Sequence, residues 1–436
     1  MSTTIAVFTR DLRIHDNPML AAATRDTEHV VPLFVRDDRI GASPFAAGRL
    51  RFLDESLADL DSRLRTRGGR LVMRAGDPVE EICRVADDAD ATRVHVARDV
   101  SALAKAREAR LRQALGRREL VVHDDVHTVV PPGAVLPHGR DHFAVFGPYH
   151  RKWSEQTWRG CQPAPDRVTL PEIALGDVPK ARGDGGETAG RRRAENWFAA
   201  HVQDYADQDG ALAADRTSRL SPYLHLGCVS ALELARRAGD SAGAKAFVRQ
   251  LAWRDFHHQV LAARPDSAHR DYRGRGDQWR DDKDALQAWQ EGQTGIPIVD
   301  AGMRQLRAEG WMHNRARLIT AGFLTKTLYI DWRVGAKHFF TWLLDGDLAN
   351  NCLNWQWVAG TGIDSRPNRV LNPLSQAERH DPDGEYVRRY VSELSHVGNK
   401  DVHQPWRLPA GERRGYPEPI VDLGQARARF LAARGK

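Results

Sequence analysis

Alternating strand and helix signals in the first 125 residues constrain the fold of this chain more than any other feature. Short runs rich in β-branched residues occur at 5–9, 30–35, 70–74, 93–97 and 120–123. Helical patterns at 49–65, 78–86 and 102–115 separate them. This alternation predicts a parallel α/β sheet with right-handed crossovers. No Gly-x-Gly-x-x-Gly follows the first run, so an ordinary dinucleotide-binding fold is not indicated.

The character of the chain changes in its second half. Residues 161–190 are rich in Pro and Gly and predict a linker, and helical patterns dominate after it. We expect helices at 195–205, 231–239, 244–263, 285–291, 299–309, 314–329 and 336–345. The charged, Pro-dotted residues after 373 are expected to wrap the surface. The predicted domains are an α/β domain at 1–130, a linker at 131–190 and a helical domain at 191–436.

Composition excludes several classes of protein. The 436-residue chain has no apolar run long enough to span a membrane and no secretory signal pattern. Its four cysteines are scattered without metal-ligand spacing, so we expect no metal site and a cytoplasmic location. The net charge of +6 is compatible with nucleic-acid binding. Twelve tryptophans, clustered after residue 150, indicate stacking, packing or electron transfer.

Polar and aromatic side chains are concentrated in the segment 345–362, which holds two carboxylates, consecutive asparagines and two tryptophans. Buried Asp and Asn need hydrogen-bond partners, which a heterocyclic ligand with several donors and acceptors would supply. The alternative is an acidic helix cap followed by a core helix with two packed indoles. The spacing alone does not decide between them.

Two predicted helices have unusual polar faces. On the first, residues at i, i+3, i+4 and i+7 are Gln250, Trp253, Arg254 and His257. The face of the second holds Trp311, Asn314, Arg315 and Leu318. Either face is interpreted as a binding wall or as packing combined with surface salt bridges.

Hydroxyl groups cluster ahead of a short predicted helix. The segment consists of Thr217, Ser218, Arg219, Leu220 and Ser221. Hydroxyls and backbone N–H groups at the start of a helix suit a diphosphate. The alternative, a serine N-cap with Pro222 in the first turn, is the preferred interpretation of this segment by itself.

Taken together, these motifs resemble the photolyase/cryptochrome family. The matching segments follow the family's order along nearly the whole chain: 11–17, 217–221, 253–256, 295–306, 310–317, 345–362 and 413–421. The chain is most similar to bacterial class I cyclobutane pyrimidine dimer photolyases. The resemblance implies a Rossmann-like parallel α/β antenna domain, a linker and a C-terminal helical domain that holds FAD.

The resemblance also implies roles for individual residues. The FAD-binding set would be Tyr205, Thr217, Ser218, Arg219, Leu220, Ser221, Arg254, Asn314, Arg317, Asp345, Asp347 and Asn351. Arg317 would pair with Asp345, and Asn351 would lie opposite flavin N5, where a neutral amide adds no charge beside a reduced anionic flavin. The catalytic set would be Asn351 and a tryptophan chain that re-reduces FAD: Trp355, Trp332 and Trp279. Without the resemblance, three separate core indoles are the alternative.

The reaction that the resemblance implies is light-driven repair of ultraviolet-damaged DNA, in which excited reduced FAD lends one electron to a pyrimidine dimer. The DNA- and lesion-binding set would be Gln250, Trp253, Asn314, Arg315 and Trp357. Gln250 stands where typical dimer photolyases have Glu, and Leu318 replaces a usual Met, which leaves the repair efficiency open.

A second antenna chromophore is also implied. The folate-binding Asn-Glu pair of some relatives falls near Leu103 and Ala104, which cannot replace it, so a deazaflavin is favoured over folate. The competing functions are a cryptochrome-type photoreceptor with little or no repair activity and, from another class, a metabolic flavoprotein. We expect a monomer that acts on damaged DNA away from membranes.

Overall fold

The computed structural model describes residues 2–25, 27–37, 47–208 and 210–435, except for the side chains of 208, 399 and 400. The chain forms two compact units. The first comprises Met1–Ala206 and Ser218–Pro265, and the second comprises Asp207–Thr217 and Asp266–Lys436. The chain therefore passes from one unit to the other three times. These limits differ from the domain boundaries at 130 and 190, which stay a prediction.

A five-stranded parallel sheet forms the centre of the first unit. Its strands are β1 (Thr3–Phe8), β2 (His29–Arg36), β3 (Val72–Ala75), β4 (Ala91–Ala97) and β5 (Glu119–His123), in the order β3-β2-β1-β4-β5. Ile5 of β1 lies opposite Val31 of β2 and Val94 of β4. Every residue of β1 is buried, as expected for a central parallel strand that is covered on both faces. The predicted parallel α/β fold is confirmed.

Helices follow the strands and continue beyond the sheet. They are α1 (Pro18–Arg25), α2 (Ala47–Arg65), α3 (Pro78–Asp88), α4 (Ala102–Ala114), α5 (Phe146–Ser154), α6 (Glu187–Ala200), α7 (Tyr205–Gln208), α8 (Ser221–His225), α9 (Ala231–Arg237) and α10 (Ala242–Ala263). The sequence patterns predicted α2, α3 and α4 but not α1 or α5. In α5, Gly147 and Pro148 resemble helix breakers, yet the first turn of a helix tolerates Pro.

The Pro- and Gly-rich segment 161–190 packs along the first unit. Val30 N donates to Thr169 O at 2.8 Å, and Met73 N donates to Leu175 O at 2.7 Å. At Gly185 a Cβ atom would come within 2.7 Å of the backbone of α2, so only glycine permits this approach. Helix α6 then begins and ends earlier than the 195–205 pattern predicted.

Helix α10 is joined to the rest of the first unit through Asp255. Its Oδ2 accepts hydrogen bonds from Val129 N, Val130 N and Trp153 Nε1 at 3.0, 2.9 and 3.0 Å. Burial raises the pKa of Asp255 to about 6, against the opposing effect of Arg254. The first unit is therefore incomplete without residues that lie more than a hundred positions after its sheet.

The motif 11–17 has a structural role in the same unit. The buried guanidinium of Arg13 donates to Gly227 O at 2.9 Å and to Val126 O at 2.7 Å. Glu187 accepts a hydrogen bond from Ile14 N at 2.8 Å. These contacts join the first loop after β1 to segments that are distant in the sequence.

Helices form the second unit, as the sequence predicted. They are α11 (Lys283–Glu291), α12 (Pro297–Glu309), α13 (Asn314–Gly322), α14 (Trp332–Trp342), α15 (Leu348–Ala359), α16 (Pro373–His380), α17 (Glu385–Tyr390) and α18 (Leu423–Ala433). A π-helical turn, Phe323–Thr327, follows α13, so the pattern at 314–329 is not one regular helix. Among the described residues, no helix has the length and apolar character that crossing a membrane requires.

The expectation that residues after 373 wrap the surface is wrong. Tyr386, Val387, Leu394 and Val402 are fully buried in the core of the second unit. The hydroxyl of Tyr416 donates to the buried carboxylate of Asp300. Charged residues interrupt the buried apolar ones, and these charges hid the contribution of the segment to the core.

Candidate functional site

An ion pair between Arg317 and Asp345 lies in the second unit, where α13 and the turn before α15 meet. Nη2 and Nη1 of Arg317 donate to Oδ2 and Oδ1 of Asp345 at 2.7 and 3.2 Å, and Nε donates to Met312 O at 2.8 Å. The side chain of Asp345 is only 4% exposed, so this bidentate geometry offsets the loss of water around its carboxylate. The predicted pairing is confirmed, whereas cofactor binding by either residue stays a prediction.

Asp347 caps α15. Its Oδ1 accepts hydrogen bonds from the backbone and side-chain nitrogens of Asn350 at 2.9 and 2.8 Å. One turn later, Asn351 Nδ2 donates to Ala336 O at 2.9 Å, and among the described residues no donor reaches its Oδ1. The acidic cap proposed as an alternative is therefore present, and it fixes the start of a helix whose amide oxygen at Asn351 is available for a ligand.

Trp355 and Trp332 lie on the adjoining helices α15 and α14. Both indoles are buried, and the ring of Trp355 packs directly against Gly335, where a Cβ atom would overlap with it. Trp332 Nε1 donates to Asp271 Oδ1 at 2.8 Å, and the guanidinium of Arg333 lies 4.8 Å from the centre of the Trp332 ring. Both indoles belong to the apolar core of the second unit, and Trp332 in addition has one acidic and one basic neighbour.

Trp279, the third indole of the predicted chain, is half-buried just before α11. Its ring centroid lies 5.1 Å from that of Tyr329. Trp355 has a further indole neighbour, Trp289, at 6.0 Å between ring centroids. The electron-transfer roles of Trp355, Trp332 and Trp279 therefore stay a prediction, with Trp289 as an additional neighbour.

Two of the residues predicted to contact the lesion line a small cavity of about 60 Å³ in the second unit. Its lining includes Arg315, Leu318, Lys326, Trp357, Asp364 and Arg369. Arg315 and Trp357, both predicted to contact the lesion, are thus neighbours, and Leu318 lies beside them. Asn314 is the exposed first residue of α13.

The wall of this cavity is positively charged. Lys326 Nζ donates to Arg369 O at 2.6 Å. Burial lowers the pKa of Lys326 to about 8, and the nearby Asp364 opposes this shift. With Arg315 and Arg369, the wall presents three basic side chains against one acidic side chain, which suits a phosphate-bearing ligand.

The lesion residues predicted on α10 lie in the first unit. Trp253 stacks on Phe146 with 3.7 Å between ring centroids and 7° between planes. The guanidinium of Arg249 lies 4.8 Å from the centre of the Phe146 ring. Gln250, one turn before Trp253, is exposed and therefore accessible to a ligand.

Arg254 occupies the same helix. Its Nη1 donates to His127 O at 2.6 Å and its Nη2 donates to Leu224 O at 3.4 Å. Tyr205 starts α7, with its ring 5.4 Å from that of Trp197. Both predicted cofactor residues are thus held in place by contacts within the first unit.

The hydroxyl-rich segment 217–221 does not form a serine cap. The N-cap of α8 is Leu220, and Ser221 is already helical, so the predicted serine cap is wrong, whereas Pro222 does lie in the first turn. Arg219 has a φ of 50°, in the left-handed region that non-glycine residues seldom adopt. Backbone strain of this kind is concentrated at functional sites.

Similarity to known proteins extends over the whole chain. Residues 4–170 match the family model described as DNA photolyase, and residues 247–436 match the FAD binding domain of DNA photolyase. A curated deoxyribodipyrimidine photo-lyase from Streptomyces griseus is 54% identical over 100% of both chains. The chain belongs to the photolyase family.

Solved photolyase structures have the same fold as this family member. A class III photolyase from Agrobacterium tumefaciens is 32% identical with a TM-score of 0.91, covering 100% of this chain and 97% of the other. An archaeal photolyase from Sulfolobus tokodaii, described with two FAD molecules, has a TM-score of 0.89 at 28% identity over 100% of both chains. The predicted α/β plus helical FAD-binding architecture is confirmed.

Several groups of the photolyase-family chain fit FAD. Thr217 Oγ1 is buried and, within the described part of the chain, has no hydrogen-bond partner, so a phosphate oxygen would satisfy it. Asn351 Oδ1 is an acceptor for a ring N–H, and the Arg317 guanidinium supplies positive charge. No cluster of metal-ligating side chains occurs among the described residues.

Sequence reasoning missed Phe146, Trp289 and Tyr329 in this photolyase-family chain. Phe146 was hidden because α5 was not predicted. Trp289 lies on α11, which was predicted, whereas Tyr329 follows the π-helical turn that replaces the end of a predicted helix. Their contacts with Trp355 and Trp279 join residues distant in the sequence. No spacing rule reveals such contacts.

Proposed function

We propose that this chain is a deoxyribodipyrimidine photo-lyase that repairs cyclobutane pyrimidine dimers in ultraviolet-damaged DNA. The observation that carries the proposal is its full-length similarity to the Streptomyces griseus enzyme of that name. When bound, reduced FAD supplies the photoexcited electron that opens the cyclobutane ring. The protein then needs to bind, orient and shield the reactants, and neither a nucleophile nor a metal is required.

The residues of the second unit would orient the flavin. Arg317 would offset the negative charge of the ring, while Asp345 holds the guanidinium in place. Asn351 would accept a hydrogen bond from the flavin ring without adding charge, because its amide is held by Ala336 O. Thr217 would donate to the diphosphate through its buried hydroxyl. Arg317 and Asn351 are each fixed by contacts within the second unit, so little reorganisation of these two side chains accompanies binding.

Each unit offers one indole on which a base could stack. Trp253, held flat against Phe146, and Trp357, in the basic cavity with Arg315, each offer an apolar face for an extruded base. Stacking on such a face contributes about 1–3 kcal/mol per base, and a damaged step costs less to unstack than an intact one. Gln250 would donate or accept a hydrogen bond at the pyrimidine edge, where a carboxylate would only accept.

A second chromophore would bind in the first unit. The carboxyl ends of β1 and β4 meet where the strand order reverses, which is the usual ligand position in parallel sheets. A cavity of about 180 Å³ lies there, lined by residues that include Arg10, Asp99, Lys105, His127 and His258. It is smaller than the roughly 300–1,000 Å³ of typical ligand sites, so it would take one end of a chromophore.

A deazaflavin is favoured over folate for this position, because Leu103 and Ala104 lack the polar groups that would hold a pterin. Extraction of the purified protein followed by chromatography and fluorescence identifies the chromophore. Bound folate would overturn this assignment. We also propose that the protein is cytoplasmic and monomeric. Size-exclusion chromatography with light scattering measures its oligomeric state.

The decisive experiment uses an oligonucleotide that contains a single thymine dimer. The FAD-loaded, pre-reduced protein is illuminated with blue light, and we expect thymine absorbance to return, with no change in a dark sample. Flavin binding and photoreduction without any repair would favour the photoreceptor alternative. A protein that takes up no flavin and does not distinguish damaged from intact DNA would overturn both.

A further inference from the structure

Tyr329 is in ring contact with Trp279, the outermost indole of the predicted chain. The two ring centroids lie 5.1 Å apart, with 49° between planes. The hydroxyl of Tyr329 donates to Asp277 Oδ1 at 2.9 Å. The indole of Trp279, the phenol of Tyr329 and the carboxylate of Asp277 therefore lie in series in the second unit.

This arrangement is held rigidly. Arg280 N donates to Tyr329 O at 2.8 Å, which ties the tyrosine to the residue after Trp279. The Tyr329 backbone has a φ of 59°, a strained conformation for a residue with an aromatic side chain. Phe430 packs against the same ring at 5.9 Å between centroids. The strain is sustained because the surrounding contacts fix the ring beside Trp279.

The carboxylate of Asp277 is itself buried and paired. Arg434 Nη2 donates to Asp277 Oδ2 at 2.8 Å and Arg434 Nε donates to Oδ1 at 2.5 Å, and both side chains are almost fully buried. Tyr329 is 4% exposed. Burial, together with the nearby Asp277, raises the pKa of the Tyr329 phenol above its ordinary value, so the phenol holds its proton at rest. The pair thus has one proton donor and one acceptor within the distance needed for transfer.

We propose that Tyr329 is the terminal electron donor of the tryptophan chain and that Asp277 takes its proton. The oxidant is the Trp279 radical cation, produced when light withdraws an electron along the chain. Tyr329 gives one electron to Trp279, restoring the neutral indole, and its phenolic proton moves to Asp277 Oδ1. The products are neutral Trp279, a neutral tyrosyl radical and a protonated carboxyl, so charge and atoms balance.

The consequence is a longer-lived charge separation. A tryptophan radical cation is readily reduced again by back transfer, whereas return of an electron to the tyrosyl radical also requires return of the proton from Asp277. The low exposure of Tyr329 shields its radical from solvent. The inference rests on the tryptophan chain of the proposed function, which gives it a defined oxidant.

The test identifies the radical instead of measuring repair. Protein with oxidised FAD bound is illuminated and frozen, and electron paramagnetic resonance spectra are compared for protein made with ordinary and ring-deuterated tyrosine. We expect the parent to give a tyrosyl signal that narrows on deuteration. In Tyr329→Phe, which keeps the ring, that signal is lost, a tryptophan radical replaces it, and the radical decays faster.

Tyr390→Phe is the matched control, since the Tyr390 hydroxyl also donates to a carboxylate, that of Glu309, while its ring packs on Tyr386. It should retain the parent signal. Asp277→Asn, checked for folding by flavin absorbance, should lose the tyrosyl signal with Tyr329 still present. A tryptophan radical in the parent, or a deuterium-sensitive signal that survives Tyr329→Phe, overturns the inference and leaves the proposed function intact. Failure of the protein to bind flavin would instead contradict the proposed function, and Trp279 would then have no route to oxidation.

Discussion

The indole of Trp253 lies flat on the ring of Phe146, 3.7 Å away between ring centroids. Phe146 is buried on α5, and Arg249 lies over its ring at 4.8 Å from the centroid. The orientation of Trp253 is therefore set by the protein before any base arrives. An indole that is already oriented loses little side-chain freedom when a lesion stacks on it.

Replacing Phe146 by Leu should weaken binding of dimer-containing DNA while FAD remains bound. The lost aromatic pair is worth about 0.5–1.5 kcal/mol, or roughly a twofold to tenfold rise in Kd. Fluorescence anisotropy in the dark with a labelled oligonucleotide measures this change. Phe198→Leu, which alters an edge-to-face contact with Phe247 instead, is the control and should bind like the parent. Equal affinities of the parent and both variants for the oligonucleotide would show that Phe146 does not contribute to lesion binding.

Gly335→Ala should destabilise the second unit. The new methyl group would overlap with the Trp355 indole and lie 2.6 Å from Leu324 Cδ2, and overpacking of this kind costs about 1–3 kcal/mol. Gly322→Ala is the matched control on α13, because its methyl group would meet only Val358 Cγ1 at 3.8 Å. It should be neutral or stabilise by up to about 1 kcal/mol, the difference in helix propensity. Urea unfolding distinguishes the two, and a stabilised Gly335→Ala protein would contradict the packing argument.

Trp332→Phe should slow photoreduction of oxidised FAD but leave repair unchanged once the flavin is pre-reduced. The indole of Trp332 has an anionic hydrogen-bond partner, Asp271, and a phenylalanine ring lacks both that bond and the ease of oxidation. Trp289→Phe tests the other indole neighbour of Trp355, at 6.0 Å. Flavin absorbance under continuous light gives both rates. Slow photoreduction in Trp289→Phe alone would show that Trp355 receives its electron from that second neighbour.

The stability of the second unit should fall in acid because of His338. Burial, with a smaller contribution from Arg307, lowers the pKa of His338 to about 4, against about 6.5 in the unfolded chain. The unfolded chain binds the proton at higher pH, so this stability is complete above about pH 6.5 and is lost as the pH falls towards 4. The loss between about pH 7 and pH 5 is roughly 2 kcal/mol.

His338→Phe should remove that part of the pH dependence, as seen by urea unfolding at the two pH values. The ring centroids of His338 and Trp289 lie 5.5 Å apart, and a phenylalanine ring at position 338 keeps this contact. His396→Gln, at an exposed position, is expected to keep the slope of the parent. If the parent and His338→Phe lose equal stability in acid, another group is responsible.

The sequence predicted regular elements well where periodicity was strong. The five strands were found from their runs of β-branched residues, and the helix α2 was found from its row of leucines at helical spacing. The short helix α1 was not predicted, and neither was the burial of residues after 373, where charged residues interrupt the apolar ones. Periodicity cannot predict contacts between residues that are distant in the sequence.

Of the predicted site, one pairing is tested by the structure, and the roles of the site residues stay a prediction. The pairing of Arg317 with Asp345 followed from the family resemblance and is confirmed. The contact of Tyr329 with Trp279 could not be foreseen, because it depends on a left-handed backbone turn at the end of a π-helical segment. A propensity scale gives no reason to place a tyrosine there.

The discontinuous make-up of both units has a consequence for synthesis. As the chain leaves the ribosome, the sheet emerges first, but the carboxylate of Asp255 that joins α10 to residues 129 and 130 emerges much later. Until residue 265 has been translated, the nascent first unit lacks its final helix. We therefore expect that no single cleavage point yields a soluble half, and that premature termination before this residue produces fragments that chaperones must retain or proteases remove.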